Sequence, residues 1–426
     1  MPVHIKTYGC TLNQADSDIM FGLIAGAGIE QSGEDDADLV VVNTCTVKTP
    51  TQQKIIHSIK ELEKKGKKIV VTGCMASANQ ALIEKHVPKA SIVTVSNIGS
   101  IAKAVQETAL GNRVVIDHGN RQDKLALFKP QESTIAKVPV SEGCLSSCSF
   151  CETKFARGPL NSYSEERIIN AVAMSAERGA KEIQLTSQDM GAYGLDRRTN
   201  IAKLMKRLSE IDGDFKIRVG MLNPEHLPKY LEEFIDALDC SKFYGFAHIP
   251  AQSGSNNVLK SMKRMYSAEQ FNSYVDALRQ RIPDITIETD IIVGFPTETE
   301  EDFQNTLDFV HLAKPNVVNM CRFWARPHAA ASKMEQLPAN LIAERSAELG
   351  RVVRMVQKEI NDTFVGRELD ILITEQEEES MNGRTDSYKK VIIGKRDANE
   401  NVFIGNKVRV RIESASCNVL YGRPIG

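Results

Sequence analysis

EGCLSSCSFCETKF, residues 142–155, sets Cys144, Cys148 and Cys151 in a C-x3-C-x2-C run directly after an apolar stretch, AKVPVS. Cysteines packed this densely point to metal or redox chemistry, because a reduced cytosolic chain does not build a disulfide framework. Thiolates ligate iron–sulfur clusters. Three of them on one loop can wrap a [4Fe–4S] cube and leave one iron open to chelate the amino and carboxylate groups of S-adenosylmethionine. A structural zinc site reads differently, pairing one C-x2-C with a second, and no second pair stands near.

Outward from this segment, apolar runs alternate with helical stretches. Downstream, KEIQLTS, KIRVGM, FYGFAHIP, TIETDIIVGF and VVNMCRFW read as strands, and 165–179, 201–211, 227–238, 268–279 and 300–313 as helices. With AKVPVS they make six strand–helix units. They predict a full or partial (βα)-barrel over 137–345, with functional groups at the C-terminal ends of its strands. Upstream, VHIKTYG, DLVVVNT, KIVVTG and SIVTVS alternate with helices. They predict an α/β domain over 1–115, a parallel sheet with helices on both faces. The polar stretch 116–136 reads as a linker and 346–362 as a helical connector. ELDILITE, YKKVIIGK, NVFIG and KVRVRIES, separated by Gly, Asn and Asp turns, predict a small all-β domain over 363–426.

A second group of thiols emerges from the strand reading. Cys10, Cys45 and Cys74 each follow an apolar run (HIKTYG, LVVVNT, IVVTG). Parallel strands would bring all three to one C-terminal sheet edge, where ligands bind in open α/β folds. That placement predicts a second cluster with three protein ligands. Cys240, Cys321 and Cys417 have no ligand spacing and read as ordinary thiols.

The 53 basic and 55 acidic residues nearly cancel, so any nucleic-acid surface must be a local patch. MPVHIKTYGC lacks the apolar centre of a signal peptide. No apolar run approaches the ~20 residues of a membrane span. Both point to a cytoplasmic protein.

A C-x3-C-x2-C loop after the first strand of an α/β barrel resembles the radical S-adenosylmethionine enzymes, whose cluster cleaves that cofactor reductively to a 5′-deoxyadenosyl radical. With a three-cysteine α/β domain before it and a β module similar to the RNA-binding TRAM domain after it, the whole chain resembles the methylthiotransferases. YGCTLNQADS (8–17) and NTCTVKTPTQ (43–52) are most similar to the archaeal and eukaryotic branch acting on N6-threonylcarbamoyladenosine (t6A) of tRNA. The alternatives are the branches acting on isopentenyladenosine in tRNA or on a ribosomal-protein aspartate, and a non-catalytic Fe–S RNA-binding protein. The resemblance implies two [4Fe–4S] clusters, S-adenosylmethionine, a tRNA substrate, an electron donor and a sulfur source. It also implies a 2-methylthio product; carbon 2 of adenine is an unactivated C–H position, which suits cofactor-borne radical chemistry.

It further implies roles for particular residues. Ser187, Gln188 and Asp189, at the end of the second barrel strand, would face the cluster and the cofactor's amino group; Asp189 alone also reads as a helix cap. His248, Gln252 and Ser253 lie in AHIPAQSGS, which matches the family's HIP-x-QSGS motif, and would touch cofactor or substrate. Glu288 and Asp290, two apart in a strand, share one face. Gly294 would let the backbone approach adenine, or simply turn the chain before Pro296. Arg322 and Arg326 are candidates for phosphate or carboxylate contact; the family commonly has a small residue where His328 stands. Lys154 and Arg157 would bind phosphate or tune cluster potential.

Residues 361–426 hold 10 basic and 11 acidic residues, so distribution matters more than net charge there. Period two puts Lys407, Arg409 and Arg411 on one strand face. Lys389, Lys390, Lys395 and Arg396 would extend it into a phosphate-binding stripe, with the acidic run 375–379 turned away from RNA.

Overall fold

The computed structural model describes residues 1–46, 49–119 and 121–425. Lys48, within one of the strings quoted above, lies outside the described residues. Strands β1 (Val3–Thr7), β2 (Leu39–Thr44), β3 (Lys68–Gly73), β4 (Ser91–Val93) and β5 (Val115–Ile116) form one parallel sheet in chain order. Every residue of β2 is buried, as a Val-rich parallel strand covered on both faces should be. Alternation divides it between two cores. Leu39 and Val41 pack with Ile19, Met20 and Ile24 of helix α1 (Thr11–Gly26). Val40 and Val42 pack with Ile55, Ile59 and Leu62 of α2 (Thr49–Lys64).

The central unit contains β6 (Ile135–Pro139), a short antiparallel pair β7 (Ser141–Glu142) and β8 (Asn161–Ser162), then β9 (Glu182–Thr186), β10 (Lys216–Val219), β11 (Phe246–His248), β12 (Thr286–Val293) and β13 (Val317–Arg322). Its parallel strands form two three-stranded sheets, β10-β9-β6 and β11-β12-β13. Hydrogen bonds from Ile217 N to Lys242 O (2.8 Å) and from Tyr244 N to Ile217 O (3.0 Å) bridge the two. The six expected barrel strands are present, curved in chain order into an open barrel. The β7–β8 pair is too short to leave a periodic signal in sequence, yet it clamps residues 143–160 into one loop.

Helix Ala339–Asp362 leads into β14 (Glu368–Gln376), β15 (Ser380–Thr385), β16 (Lys390–Gly394), β17 (Lys407–Ala415) and β18 (Leu420–Pro424), a closed barrel in the order β14-β15-β16-β18-β17. The run NVFIG forms turns instead of a strand. Asn406 Nδ2 bonds Asn401 O (2.7 Å) and Asn401 N bonds Asn399 Oδ1 (3.1 Å), offering the backbone partners outside any ladder. LYGRP supplies the last strand instead. The barrel docks through Tyr388, whose hydroxyl donates to Glu182 Oε1 at 2.8 Å and whose ring lies against Tyr244 and Phe246. Glu182 and Phe246 begin β9 and β11. The β module therefore covers the end of the central barrel opposite the cysteine loop.

The N-terminal and central units meet through four buried charges. Lys124 Nζ donates to Asp16 Oδ1 (2.7 Å) and Glu142 Oε1 (2.8 Å). Arg157 donates to Asp16 Oδ2 (2.8 Å) and Glu142 Oε1 (2.9 Å). All four residues are at most 2% exposed. Two cations and two anions balance, which is the condition under which buried charges are tolerated. Burial pushes the Asp16 carboxyl up, but Lys124 and Arg157 outweigh it and hold the group below its ordinary value. The stability this carboxyl contributes is complete above the ordinary aspartate pKa of about 3.9. It is lost as pH falls through the lower folded value.

Two outcomes follow from these joints. Lys124→Ala strips one cation from the cluster and should weaken the joint by about 3–5 kcal/mol. Amide hydrogen exchange at α1 and β7 should then accelerate, and unchanged protection would contradict the argument. Lys389 is a buried cation of the β module, bonded to Asn361 Oδ1 at 2.8 Å, and burial lowers its ammonium to about 8. The unfolded chain binds that proton up to about 10.4, so barrel stability should rise between those two pH values. In a thermal-melt series Lys389→Met should melt higher at pH 7 and lack that rise; an unaltered pH slope would refute it.

Candidate active site

The radical-type trio sits in the loop clamped by β7 and β8, just past the C-terminal end of β6. Gly143 has φ +80°, and a Cβ there would lie 2.0 Å from Pro159 O, so only glycine lets the chain turn into Cys144. Its N–H donates to Gln188 Oε1 at 2.6 Å. Ser146 Oγ donates to Glu225 Oε1 at 2.6 Å. Ser149 ties the loop down three ways: its N–H to Met262 O (3.0 Å), its hydroxyl to Ser261 O (2.8 Å), and its carbonyl from Ala331 N (2.8 Å). Arg264, itself bonded to Tyr266 and to Pro250 O, donates from Nη1 to Cys148 Sγ at 3.3 Å. Burial pushes the Cys144 thiol up to about 12, with Asp189 and then Cys151 and Cys148 adding to it.

Cys45 and Cys74 follow the last residues of β2 and β3 directly, and Cys10 lies three residues beyond β1. The parallel register brings all three to one edge, as the strand argument required. Asn13 fastens that edge, donating to Tyr8 O (2.8 Å) and Thr44 O (2.9 Å). Gly73 has φ +91° and its missing Cβ would fall 2.4 Å from Thr44 O, so β3 can close on β2 immediately before Cys74. Burial pushes the Cys74 thiol up to about 11; Arg157 counters this, while Cys10 and Cys45 add to it. Arg157 Nε donates to Cys74 Sγ at 3.2 Å. An arginine six residues after Cys151 therefore holds a cysteine of the other trio.

Where the two units meet, beside Cys151, lies a cavity of about 610 Å³. Thr46, beside Cys45, lines it, as does Cys151 from the other trio, and Gln252, Asp290, Cys321, Arg322, Trp324 and Arg326 complete much of its wall. Among the described residues no three His, Cys, Asp or Glu side chains could hold a single metal ion. What each trio offers is three sulfurs near enough to raise one another, with an arginine bonded to one of them. Three such thiols ionise together at a buried site only around a shared cationic core, with release of protons. A thiolate-held iron–sulfur cluster fits that donor set.

The remaining expected site residues divide. Gln188 holds the cysteine loop. Asp189 caps the short helix Met190–Ala192 through Gly191 N (2.9 Å) and also takes Asn223 N (2.9 Å), while its charge reaches Cys144. Ser187 Oγ accepts from Asp189 N at 3.2 Å. His248 Nε2 lies 3.1 Å from Asp290 Oδ1, and Asn319 Nδ2 donates to both Glu288 (2.7 Å) and Asp290 (2.9 Å). The two carboxylates thus do share a face. Burial lowers the His248 imidazolium, and Asp290 followed by Glu288 raises it further, leaving it above the ordinary value. Gln252 lines the cavity with φ +71°, a costly conformation for a non-glycine.

Two expectations need correction. A Cβ on Gly294 would meet Ile342 at 2.6 Å, so the residue admits a helix and does not face the cavity. Ser253 is spent internally, on Thr306 Oγ1 (3.2 Å) and Ser255 N (3.1 Å).

On the β module, Lys407, Arg409 and Arg411 are exposed on one face of β17. The register sets Arg409 opposite Asp370 and Arg411 opposite Glu368 on β14, and Lys407 binds Asp214 at 2.5 Å. Lys389 is buried and does not extend the stripe. Lys390 pairs with Glu377 at 3.4 Å. Lys395 and Arg396 are exposed after β16, and β18 separates β16 from β17 in the barrel. The basic surface is interleaved with acids and broken into two parts.

Several site residues gave no usable signal. Arg264 lies far from any motif, and Lys124 sits in the stretch read as linker. Glu152, which accepts from Thr46 Oγ1 (2.7 Å) and Asn79 Nδ2 (3.2 Å), stands beside Cys151 but has partners more than seventy residues away. Glu142 precedes Gly143-Cys144 and looks like any strand-end acid. His328, flagged as unusual, stacks on Phe155 with centroids 3.7 Å apart and bonds Ala78 O at 2.9 Å, closing a seam between the two units.

Comparison with known proteins agrees with this architecture. Residues 2–94 match an uncharacterised protein family, UPF0004; residues 138–310 match the radical SAM superfamily; residues 362–425 match the TRAM domain. Among solved structures, the radical S-adenosylmethionine methyltransferase TsrM from Kitasatospora setae superposes with a TM-score of 0.54 at 15% identity, over 76% of this chain and 72% of its own; this likeness shows the fold alone. A probable threonylcarbamoyladenosine tRNA methylthiotransferase of Pyrococcus abyssi is 41% identical over 92% of this chain and 93% of its own. That of Archaeoglobus fulgidus is 39% identical over 99% and 98%. The Homo sapiens threonylcarbamoyladenosine tRNA methylthiotransferase is 35% identical over 99% of this chain and 74% of its own. With the three-part fold and both trios in place, the chain belongs to the threonylcarbamoyladenosine tRNA methylthiotransferase family, within the radical SAM enzymes.

Proposed function

We propose that this chain converts N6-threonylcarbamoyladenosine beside the tRNA anticodon into its 2-methylthio derivative, using two [4Fe–4S] clusters. Cys144, Cys148 and Cys151 would hold one cluster together with S-adenosylmethionine, and Cys10, Cys45 and Cys74 the other. When bound, these groups supply one-electron cleavage of the cofactor, sulfur and a methyl group. The observation that carries the reading is one cavity lined both by Thr46, which follows Cys45, and by Cys151, with Thr46 bonded to Glu152 at 2.7 Å. Radical chemistry needs both partners within one water-poor space, because a carbon radical reacts with whatever it meets first.

The chain's own residues then have separable tasks. Gln188, Ser146 and Ser149 fix the cysteine loop, and Arg264 and Arg157 place a positive charge against one sulfur of each trio, favouring its thiolate. Positive charge and hydrogen bonds at cluster sulfurs also shift reduction potential. Asp189 lies close to Cys144 and would orient the cofactor's amino group. Gln252, Asp290 and Asn319 line the cavity and offer polar contacts to a base or a ribose. The target adenine must leave its stack to enter. The exposed face of β17, with Lys395 and Arg396 apart from it, would touch the RNA backbone, and its interleaved acids should keep the salt slope shallow. With a tRNA substrate the protein would work in the cytoplasm. An external reductant and a sulfur source complete the stoichiometry.

Anaerobic reconstitution tests this directly. The protein should hold about eight irons, as two four-iron clusters require, form 5′-deoxyadenosine, and yield the methylthio nucleoside from t6A-bearing tRNA by mass spectrometry. Cys148→Ala should lose both activities. Cys74→Ala should keep 5′-deoxyadenosine formation and lose the methylthio product. Product from Cys74→Ala would overturn the second cluster; methylthiolation of isopentenyladenosine RNA, or of a ribosomal-protein aspartate, in place of t6A RNA would overturn the substrate.

A further inference from the structure

Arg326 is a buried cation with no ion-pair partner among the described residues. It is 4% exposed and lines the cavity beside Cys151. Nη1 donates to Gln52 Oε1 of α2 at 3.1 Å. Nε and Nη2 are buried and find no hydrogen-bond partner among the described residues. Glu152, whose charge reaches Arg326, already accepts from Thr46 and Asn79. Burial pulls the guanidinium below its ordinary value, with Glu152, Cys45 and Cys321 only partly offsetting it. Arg157 presents the contrast: equally buried, but shared between two carboxylates.

An unpaired buried guanidinium is expensive, and a planar fork with two unpartnered donors matches an oxyanion held side-on. We propose that Arg326 is a substrate-binding residue, receiving an oxyanion of the target nucleotide. This rests on the tRNA reading above and deepens it. Two oxyanions belong to that nucleotide: the carboxylate of the threonylcarbamoyl group and its own phosphodiester. Both present the same chemistry to the fork. Gln52 holds the guanidinium from the N-terminal unit, so the site is complete only when both units are docked.

The test uses reconstituted holoprotein and two anticodon stem-loop RNAs, one with t6A and one with plain adenosine at the target position. Wild type, Arg326→Gln and Arg326→Lys are compared by equilibrium binding, with iron content and visible absorption recorded for each. Arg326→Gln should bind the t6A RNA at least about tenfold more weakly, as expected for a lost charge-assisted pair. Arg326→Lys, which keeps the charge but not the fork, should recover only part of that loss. A loss confined to the t6A RNA identifies the carboxylate; an equal loss on both RNAs identifies the phosphodiester. If Arg326→Gln binds both RNAs as wild type does, the proposal is overturned. It is equally overturned if the substitution changes only the cluster absorption, which would make Arg326 a neighbour of the Cys45 cluster. Failure of the wild type to bind either RNA would instead sink the tRNA reading.

Discussion

Arg157 belongs to the cysteine loop of the radical domain by sequence and to the other trio by contact. Its guanidinium reaches Cys74 Sγ, Asn13 Oδ1, Asp16 and Glu142 at once, and Lys124 closes the same ring from the stretch between the units. A charge taken this far from water is stable only with its partners in place. The cluster therefore penalises partial separation of the two units: shifting Asp16 away from Lys124 and Arg157 leaves buried charges without their partners before water can reach them. The mutual position of the two trios is tied to this salt network, because Arg157 bonds Cys74 and both carboxylates together.

The central barrel turns that joint into a division of labour between its two ends. Parallel strands deliver loops at their C-terminal ends, and there the cysteine loop, the Gln188–Asp189 corner, Gln252 and the Arg326 loop converge. Their N-terminal ends are closed by the β module through Tyr388 and Glu182. A module fixed at the far end does not occlude the cavity mouth. It can engage a long polyanion at a distance while one nucleotide enters the cavity.

Much of this was legible from residue order because it follows from periodicity. Three apolar runs each ending in cysteine become three parallel strands only one way, and the trio at their shared edge follows. The C-x3-C-x2-C loop is legible for the same reason: its spacing is local. What stayed hidden is long-range and polar. Arg264 touches Cys148 from 116 residues away, and no pattern in one sequence encodes such a pairing. Gly294 shows the converse. Its missing Cβ suggested a backbone approach to adenine, but whether that space serves adenine or Ile342 depends on where helix Ala339–Asp362 lies. The basic alternation in β17 was read correctly as a face, while the acids opposite it came from β14, some forty residues earlier, through the barrel register.

The two arginines beside the N-terminal trio show how one residue type serves two ends. Arg157 is saturated: every direction in which it can donate meets a sulfur, a carboxylate or an amide oxygen, so it is a fixed part of the scaffold. Arg326 is held by one bond, and its Nε and Nη2 have no partner among the described residues. Fixed charges at a cluster set its potential continuously, whereas a charge left open responds to what arrives. An enzyme that makes a carbon radical gains by coupling its readiness to the presence of substrate, and an unpaired cation at the meeting point of two domains is a physically economical place to do so. Filling it with an oxyanion would give Nε and Nη2 the partners that the described residues do not supply, and so relieve the burial cost.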